Sequence, residues 1–279
     1  MIRILFLTWA VLVLSYPAVA QNVDMTAGQN GEPLSIDAAG GIEWDQQKKI
    51  FTAMGPATAT RGIMVLNADE LRAYYRDAKG GKSEIFRLDA IGHVKITTPG
   101  RVATGGLAVY DVDKSVIVLK DGNPVKMIAG NDVITAKDQI EFWDKRNLAV
   151  ARGDAVAVHQ DKRLYADVMT AHFIKQANGK TQVGRIEAFD NVRIDTANEH
   201  VFSDRGAYNV PTGLARLTGS VKIKRGGNVL KGCSADIDLN TGISRLNTCS
   251  GSAQNGSNTN PQHPSTGRVH GVLAPRGKK

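Results

Sequence analysis

Residues 88–96 read Leu-Asp-Ala-Ile-Gly-His-Val-Lys-Ile, and residues 186–194 read Ile-Glu-Ala-Phe-Asp-Asn-Val-Arg-Ile. The phrase returns at 214–223 as Leu-Ala-Arg-Leu-Thr-Gly-Ser-Val-Lys-Ile, and more loosely at 130–133 and 153–158. Apolar and polar side chains alternate within it, and such alternation directs the two sets to opposite faces of a strand. Its repetition along the chain predicts a β-sheet with one long, continuous apolar face.

The first twenty residues have the pattern of an export signal. Arg3 supplies a positive charge, residues 4–14 form an apolar run, and Ala18-Val19-Ala20 fits the small-x-small cleavage rule. The run is shorter than the roughly 20 residues that span a bilayer, so cleavage after Ala20 is favoured over an uncleaved membrane anchor. We therefore predict a signal peptide at 1–20, cleaved after Ala20, and an exported, soluble mature protein.

The rest of the chain divides by composition. After an N-terminal segment at 21–33, no linker interrupts residues 34–250, which favours one large all-β domain over two smaller ones. From residue 251 the chain is rich in Ser, Asn, Gly, Gln and Pro. Such a segment buries too little apolar surface to offset its ordering entropy, so 251–279 is predicted to be a disordered tail.

The charge of the chain is positive but not extreme. The whole sequence has 35 basic and 27 acidic residues, a formal net charge of +8. The tail is basic and has no acid, because Arg268, Arg276, Lys278 and Lys279 are its only charged residues. This balance permits an anionic partner, although a solvated surface explains it equally well. Nucleic acid is a poor candidate, since the chain is exported and lacks interleaved basic and aromatic residues.

The two cysteines are predicted to form a disulfide bond. Strands around 232–239 and 243–250 flank Asn240-Thr241-Gly242, a typical hairpin loop. A three-residue loop pairs 239 with 243, which places Cys233 directly opposite Cys249. An oxidising compartment would join them, and two free thiols near a frayed edge are the alternative.

Short polar clusters such as 113–114 and 144–147 predict hairpin turns throughout the domain. Across the second of these, Phe142 is predicted to lie opposite Leu148 and Ile140 opposite Val150. The second strand of each unit is predicted to open with an Ala-Asp pair or a variant of it. These pairs are Ala68-Asp69, Lys137-Asp138, Ala166-Asp167, Ser203-Asp204 and Ala235-Asp236. Residues 67–76 also fit a capped helix, but their match to these pairs favours a strand.

Motifs for catalysis, metal binding and cofactor binding are missing from the sequence. The six histidines have no metal-ligand spacing to one another or to a cysteine. Glycine pairs lie in turns without a nucleotide-binding pattern, and the Gly-x-Ser-x-Gly motif is absent. Asp236 and Asp238 share a strand face and could serve a glycosidase, or could be a solvated edge. We predict no catalytic residue, no metal and no cofactor.

These features together resemble the OstA-like, LptA-type family of periplasmic lipopolysaccharide-transport proteins. The resemblance rests on the export signal, the Gly-x-Val-x-Ile phrase, the Ala-Asp pairs and the Lys-Arg-Asn hairpin turn, and it covers 34–250. It implies a twisted, slightly open β-jellyroll of stacked antiparallel hairpins with an apolar interior groove. It also implies binding of lipopolysaccharide acyl chains, end-to-end homo-oligomers, and partners of related fold at the inner and outer membranes. The cysteine pair and the basic tail are not part of that family pattern.

Alternating apolar residues of the phrase and of the predicted hairpins are the candidates for lining the groove, with an ordinary dry core as the alternative. They are Val94, Ile96, Val109, Ile117, Leu119, Val133, Ile140, Phe142, Val156, Val158, Val192, Ile194, Val221 and Ile223.

Two other functions fit the same scaffold. An exported β-solenoid-like protein that binds or cleaves polysaccharide would need aromatic platforms, and aromatic residues are only 6% of the chain. A third hypothesis keeps the carrier scaffold but makes the protein an assembly factor that docks to a related fold on a membrane partner.

Overall fold

The computed structural model describes residues 34–78, 83–175, 181–241, 243–249 and 269–272. The predicted signal peptide, the N-terminal segment and most of the tail lie outside these residues. A short 3-10 helix spans Asp144–Arg146. The strands are β1 Ser35–Ala38, β2 Ile42–Asp45, β3 Ile50–Arg61, β4 Met64–Asp77, β5 Ser83–Thr98, β6 Arg101–Asp111, β7 Val116–Lys120, β8 Val125–Ala129, β9 Asp132–Ala136, β10 Gln139–Trp143, β11 Leu148–His159, β12 Lys162–Lys175, β13 Thr181–Asp195, β14 Glu199–Asn209, β15 Leu214–Arg225, β16 Asn228–Asp238, β17 Ile243–Asn247 and β18 His270–Val272.

All eighteen strands belong to one sheet in which the pairings are antiparallel. Long strands pair with their neighbours in the chain, as stacked hairpins do. In four places two short strands share one long partner: β1 and β2 on β3, β7 and β8 on β6, β9 and β10 on β11, and β17 and β18 on β16. The all-β class is confirmed, and residues 67–76 lie in strand β4 as predicted. Strand β18 falls inside the segment predicted to be disordered, where Val269 and Val272 supply apolar side chains.

A row of register shifts crosses the middle of the long strands. The shifts fall between Met54 and Ala57, Asn67 and Glu70, Ile91 and Val94, Arg152 and Ala155, Tyr165 and Val168, Phe189 and Val192, Phe202 and Arg205, and Thr218 and Val221. A β-bulge bends its strand, so aligned bulges fold the sheet along one line. We call this line the corner, and the strand halves on its two sides the first arm and the second arm. The first arm includes 50–54, 70–77, 83–91, 107–111, 116–120, 139–143, 148–152 and 168–175; the second arm includes 57–61, 64–67, 94–98, 101–104, 125–129, 132–136, 155–159 and 162–165.

The recurring sequence phrase and the Ala-Asp pairs form the two sides of this corner. Gly92 has φ +76°, and a Cβ added there would overlap the carboxylate of Asp69 on the neighbouring strand. Gly153 faces Asp138 and Gly219 faces Asp204 in the same way. Four of the five predicted pairs lie within strands and not at their openings, so the prediction was wrong for them. Lys137-Asp138 directly precedes β10, as predicted. Asp236 is different, because Leu217–Ala235 and Arg216–Asp236 pair regularly at that point.

The hairpin between β10 and β11 is one residue out of the predicted register. Trp143 lies opposite Leu148, Phe142 opposite Ala149, and Ile140 opposite Ala151. The cause is a tighter loop, in which the N–H of Asn147 donates to the carbonyl of Asp144 at 3.0 Å and Asn147 takes a left-handed φ of 48°. Because a one-residue shift reverses the faces of a strand, Ala149 and Ala151 point inward where Leu148 and Val150 were expected.

The disulfide between Cys233 and Cys249 is present, with a Cα–Cα distance of 5.0 Å. The predicted register of its hairpin is wrong, because Asp238 pairs with Ile243 and Ser234 with Asn247. The Asp238 side chain accepts the backbone N–H of Asn240 at 2.9 Å, which shapes a longer loop. Cys249 follows the end of β17, so the sheet ladder does not fix its position and it reaches Cys233.

The hydrophobic core follows the inside of the fold. One cluster joins residues of both arms, such as Leu66 and Val94 from the second with Leu88 and Leu119 from the first. A second cluster is centred on Val201, Leu217, Val221, Ile223 and Ala235. Since both arms contribute to the first cluster, the sheet closes on itself with its apolar face inside.

Candidate functional site: an apolar groove between the two arms

A cavity of about 760 Å³ lies between the two arms. Its apolar walls include Ile96, Ala103 and Met127 of the second arm, and Ile117 and Phe142 of the first. Two small hollows of about 30 Å³ continue it toward β3 and β4, lined by residues such as Leu66 and Leu88 and sharing Met64 and Tyr110 with the main cavity. Together they form a groove along the inside of the sheet.

The groove is open along a seam where the turns at the free ends of the arms face each other. Turns 61–64 and 98–101 of the second arm form one side, and turns 111–116 and 143–148 of the first arm form the other. Ile63 is 76% exposed at this seam. A ligand in the groove would therefore meet both apolar walls and solvent.

Most predicted groove residues point to the inside of the fold. Ile96, Ile117 and Phe142 line the cavity itself. Further residues share that inner face but are packed in the clusters: Val94, Leu119, Ile140, Val192, Ile194, Val221 and Ile223. Strand pairing keeps these residues in register, as when Ile140 lies opposite Leu119 and Phe142 opposite Ile117. The structure thus brings three of the predicted residues to the cavity and places seven in the surrounding core.

Four predicted residues lie on the outer face instead: Val109, Val133, Val156 and Val158. Val109 pairs with Asp89 and Val118, and Val158 pairs with Val133 and Arg163, outside the core. The inner positions beside them belong to Ala108, Ile134, Ala155 and Ala157. The bulge between Arg152 and Ala155 resets the alternation in β11, and the smaller alanine takes the inner position.

Several residues that line the groove were not predicted. Arg61 and Tyr110 meet across the seam, where Arg61 Nη1 donates to Tyr110 Oη at 3.4 Å. Arg101 lies 5.1 Å from the centre of the Phe173 ring, which joins the two arms a second time. Counting alternation outward from Ile96 and Ala103 would place Thr98 and Arg101 on the inner face, but it would not identify their partners on the other arm.

Charges at the first-arm side of the seam are largely paired with one another. Arg76 donates to both oxygens of Asp113 at 2.8 and 2.9 Å and to Glu84 at 3.3 Å. Hydrogen bonding from Arg76 lowers the pKa of the Asp113 carboxyl. Lys145 Nζ donates to the carbonyl oxygen of Asp113 at 2.9 Å. Glu84 and Asp113 are therefore neutralised within their own arm.

A buried carboxylate reinforces the outer face of the first arm. Burial alone would raise the pKa of Glu141, but three hydrogen bonds outweigh it and leave the pKa below its usual value. The donors are Arg152 Nε at 2.6 Å, Trp143 Nε1 at 2.8 Å and Gln139 Nε2 at 2.7 Å. This cluster joins β10 to β11 on the outside and supports the wall of the groove, and of its members Trp143 also lines the cavity.

The two ends of the sheet expose strand edges with apolar side chains. At the first end Ile42 is 54% exposed, and Trp44 stacks on Phe51 with ring centres 5.3 Å apart. At the other end Ile243 and Val272 are exposed on β17 and β18. Such edges are templates for pairing with another strand.

The described ranges contain neither a cluster of metal ligands nor a helix that could span a membrane. No three His, Cys, Asp or Glu side chains there come together as metal ligands. Among the same residues, no helix has the length and apolarity needed to cross a membrane.

Comparison with known proteins places the fold in context. A family model described as "LptA/(LptD N-terminal domain) LPS transport protein" matches residues 36–140 and 133–243. An uncharacterized protein of Rhizobium meliloti is 25% identical over 122 residues, which cover 42% of this chain and 66% of that protein. LptH, described as the LptA homologous periplasmic component of the lipopolysaccharide transport device of Pseudomonas aeruginosa, is 18% identical with a TM-score of 0.41, covering 52% of this chain and 95% of LptH.

Proposed function

The chain belongs to the LptA/LptD N-terminal domain family of lipopolysaccharide transport proteins, and we propose that it carries lipopolysaccharide across the periplasm with the acyl chains in its groove. The family is non-enzymatic, so the function to be explained is binding and transfer. Export of the chain by its N-terminal signal would bring it to the compartment in which the related LptH is described.

The single observation that carries this proposal is the open apolar groove. Exposing an acyl chain to water costs about 0.8 kcal/mol per methylene, or roughly 10 kcal/mol for twelve carbons. A carrier must therefore offer apolar surface that is open to the lipid and closed to water. The cavity of about 760 Å³ has apolar walls on both arms, and its seam leaves room for a polar head group outside.

Ile96, Ile117 and Phe142 are the acyl-chain contacts that we propose from the predicted set, because they line the cavity. Met64 and Met127 join them, since methionine adapts to irregular apolar ligands. The buried residues of the inner face, such as Val94 and Ile140, shape the wall from behind. The four valines of the outer face are not part of this proposal.

Neighbouring residues of strand β7 give a matched test. Ile117 faces the cavity and Val118 pairs with Val109 on the outer face. A photoreactive amino acid at 117 should crosslink to lipopolysaccharide, whereas the same group at 118 should give only background. Equal crosslinking from both positions would refute the groove.

We further propose that copies of the chain join end to end and bridge the membranes, with related folds at both sides as partners. Strand addition between the exposed edges would continue the sheet and its groove from one copy to the next. Ile42→Lys places a charge on the edge strand β2 and should shift sedimentation toward the monomer at high concentration. Ile63→Lys is the control, because Ile63 is exposed at the seam and not at an edge. A wild-type protein that stays monomeric over the whole concentration series would remove the bridge.

A further inference from the structure

Two arginines stand at the mouth of the groove, and we infer that Arg61 and Arg101 form a two-point site for phosphate groups on the head of the bound lipid. This inference rests on the proposed function, since it concerns the polar end of the same ligand. With these arginines, the groove would select lipids by their phosphate groups as well as by their acyl chains.

The two arginines occupy equivalent positions in the sheet. Arg61 ends β3 and pairs with Met64, and Arg101 begins β6 and pairs with Thr98. Both follow the inner alternation, two residues beyond Ala59 and Ala103, and both line the cavity. Three strand spacings separate them, about 14 Å at the backbone. They are therefore placed to bind two separate anionic groups on one side of the seam.

Charge pairing separates the two arginines that line the cavity from several others. Arg72, Arg76 and Arg87 each have a carboxylate partner within 3.3 Å. Within the described ranges, Arg61 and Arg101 have none. Arg61 donates one hydrogen bond, from Nη1 to Tyr110 Oη at 3.4 Å, and Arg101 lies over the ring of Phe173.

These contacts use at most one N–H donor of each guanidinium and leave the others for an anion. Arginine has five N–H donors in a planar fork that matches the oxygens of a phosphate, and such charged bonds are stronger than neutral ones. An arginine held against a ring is also partly ordered before the ligand arrives. Both residues are half-buried, which strengthens their attraction for an anion compared with a fully exposed side chain.

The acids around the cavity do not cancel this charge. Glu84 and Asp113 are engaged by Arg76, and Lys145 follows Asp144 on the same rim. All of these lie on the first arm, across the seam from the turns that hold Arg61 and Arg101. The second-arm rim is therefore positive, while Met64, Ile96 and Met127 make the adjoining wall apolar. This combination fits a phosphate attached to acyl chains better than free phosphate.

The test compares lipids that differ only in phosphate. Binding of diphosphorylated, monophosphorylated and dephosphorylated lipid A with the same acyl chains would be measured with the full mature protein. We expect wild-type protein to prefer the diphosphorylated form. Arg61→Gln and Arg101→Gln should each lower affinity for it about tenfold and leave affinity for the dephosphorylated form unchanged. The double variant should bind all three forms alike.

Arg163→Gln removes the same charge from the outer face and should change nothing. Unchanged binding of the dephosphorylated lipid also shows that each variant is folded. Retained preference in the double variant, or no preference in the wild type, would overturn the phosphate site while the carrier function stands. Loss of all lipid binding in the wild type would instead refute the proposed function. Competition by inorganic phosphate alone, at the same concentration as lipid, would overturn the assignment to a lipid head group.

Discussion

The corner of the sheet gives the sharpest prediction for stability. At Gly92, φ is +76° and a Cβ would overlap Asp69 on the adjacent strand, touching its carboxylate and also its Cβ. Rotation of the carboxylate alone does not make room, because the Asp69 Cβ is fixed to the backbone. Gly92→Ala should therefore combine backbone strain with a steric shift between β4 and β5.

Gly100 is a matched control for the strain. Its φ is +74°, nearly the same, but an added Cβ there meets nothing within 4 Å. An alanine in the left-handed region costs about 1–2 kcal/mol, so Gly100→Ala should lose that amount. Gly92→Ala should lose a further 1–3 kcal/mol, roughly the cost of overpacking in a tight site.

Equilibrium unfolding in urea would measure both variants against the wild type. The overlap also predicts that Asp69→Ala, added to Gly92→Ala, restores part of the loss even though it removes the contact between Asp69 and His93 Nδ1 at 2.7 Å. If Gly92→Ala is no less stable than Gly100→Ala, the corner does not depend on the approach of Asp69. If the second substitution brings no recovery, the steric account of the corner is wrong.

Three more predictions follow from side chains described above. Glu141→Gln should cost about 1–3 kcal/mol in unfolding free energy, since it removes a charged acceptor of three hydrogen bonds. Because the pKa of Glu141 is lowered in the fold, its stabilising contribution should be complete above the ordinary carboxyl value of 4.5 and be lost as the pH falls below it. The variant should not show this loss. Cys233→Ser should lower the free energy of unfolding by about 3 kcal/mol, and a reductant should lower the stability of only the wild type. Leu119→Ala, at a site with 0% exposure, should cost about 2–5 kcal/mol, far more than Val118→Ala on the opposite face.

The sequence predicted the sheet because its alternation is strong and local. The strand phrase around Val94, the hairpin turns and the disulfide were all recoverable from spacing. The strand register could not be predicted in the same way, because it depends on loop conformations. One example is the left-handed conformation of Asn147, which closes the turn after β10. A shift of one residue there placed Val150 opposite Glu141, on the outer face.

The candidate site was predicted only in part for a related reason. Alternation assigns a side chain to a face, and a bulge such as the one before Ala155 reverses that assignment without a clear signal. The inner alanines of β11 are also less apolar than the valines beside them. Contacts across the seam, such as Arg101 with Phe173, join residues that are distant in the chain and become neighbours only when the arms fold together.

At the corner, a Gly or Asn on one strand faces an Asp on the neighbouring strand, so a hairpin that carries both residues completes its own part of the corner. One strand of a hairpin brings the bulge and the other brings the carboxylate, as Gly219 and Asp204 do. Duplicating or deleting a whole hairpin in evolution would preserve both the corner and the assignment of faces. It would change the length of the protein by about 10 Å, two strand spacings, while its cross-section stays the same. The length of such a protein can therefore change in steps of one hairpin, and its interior stays the same.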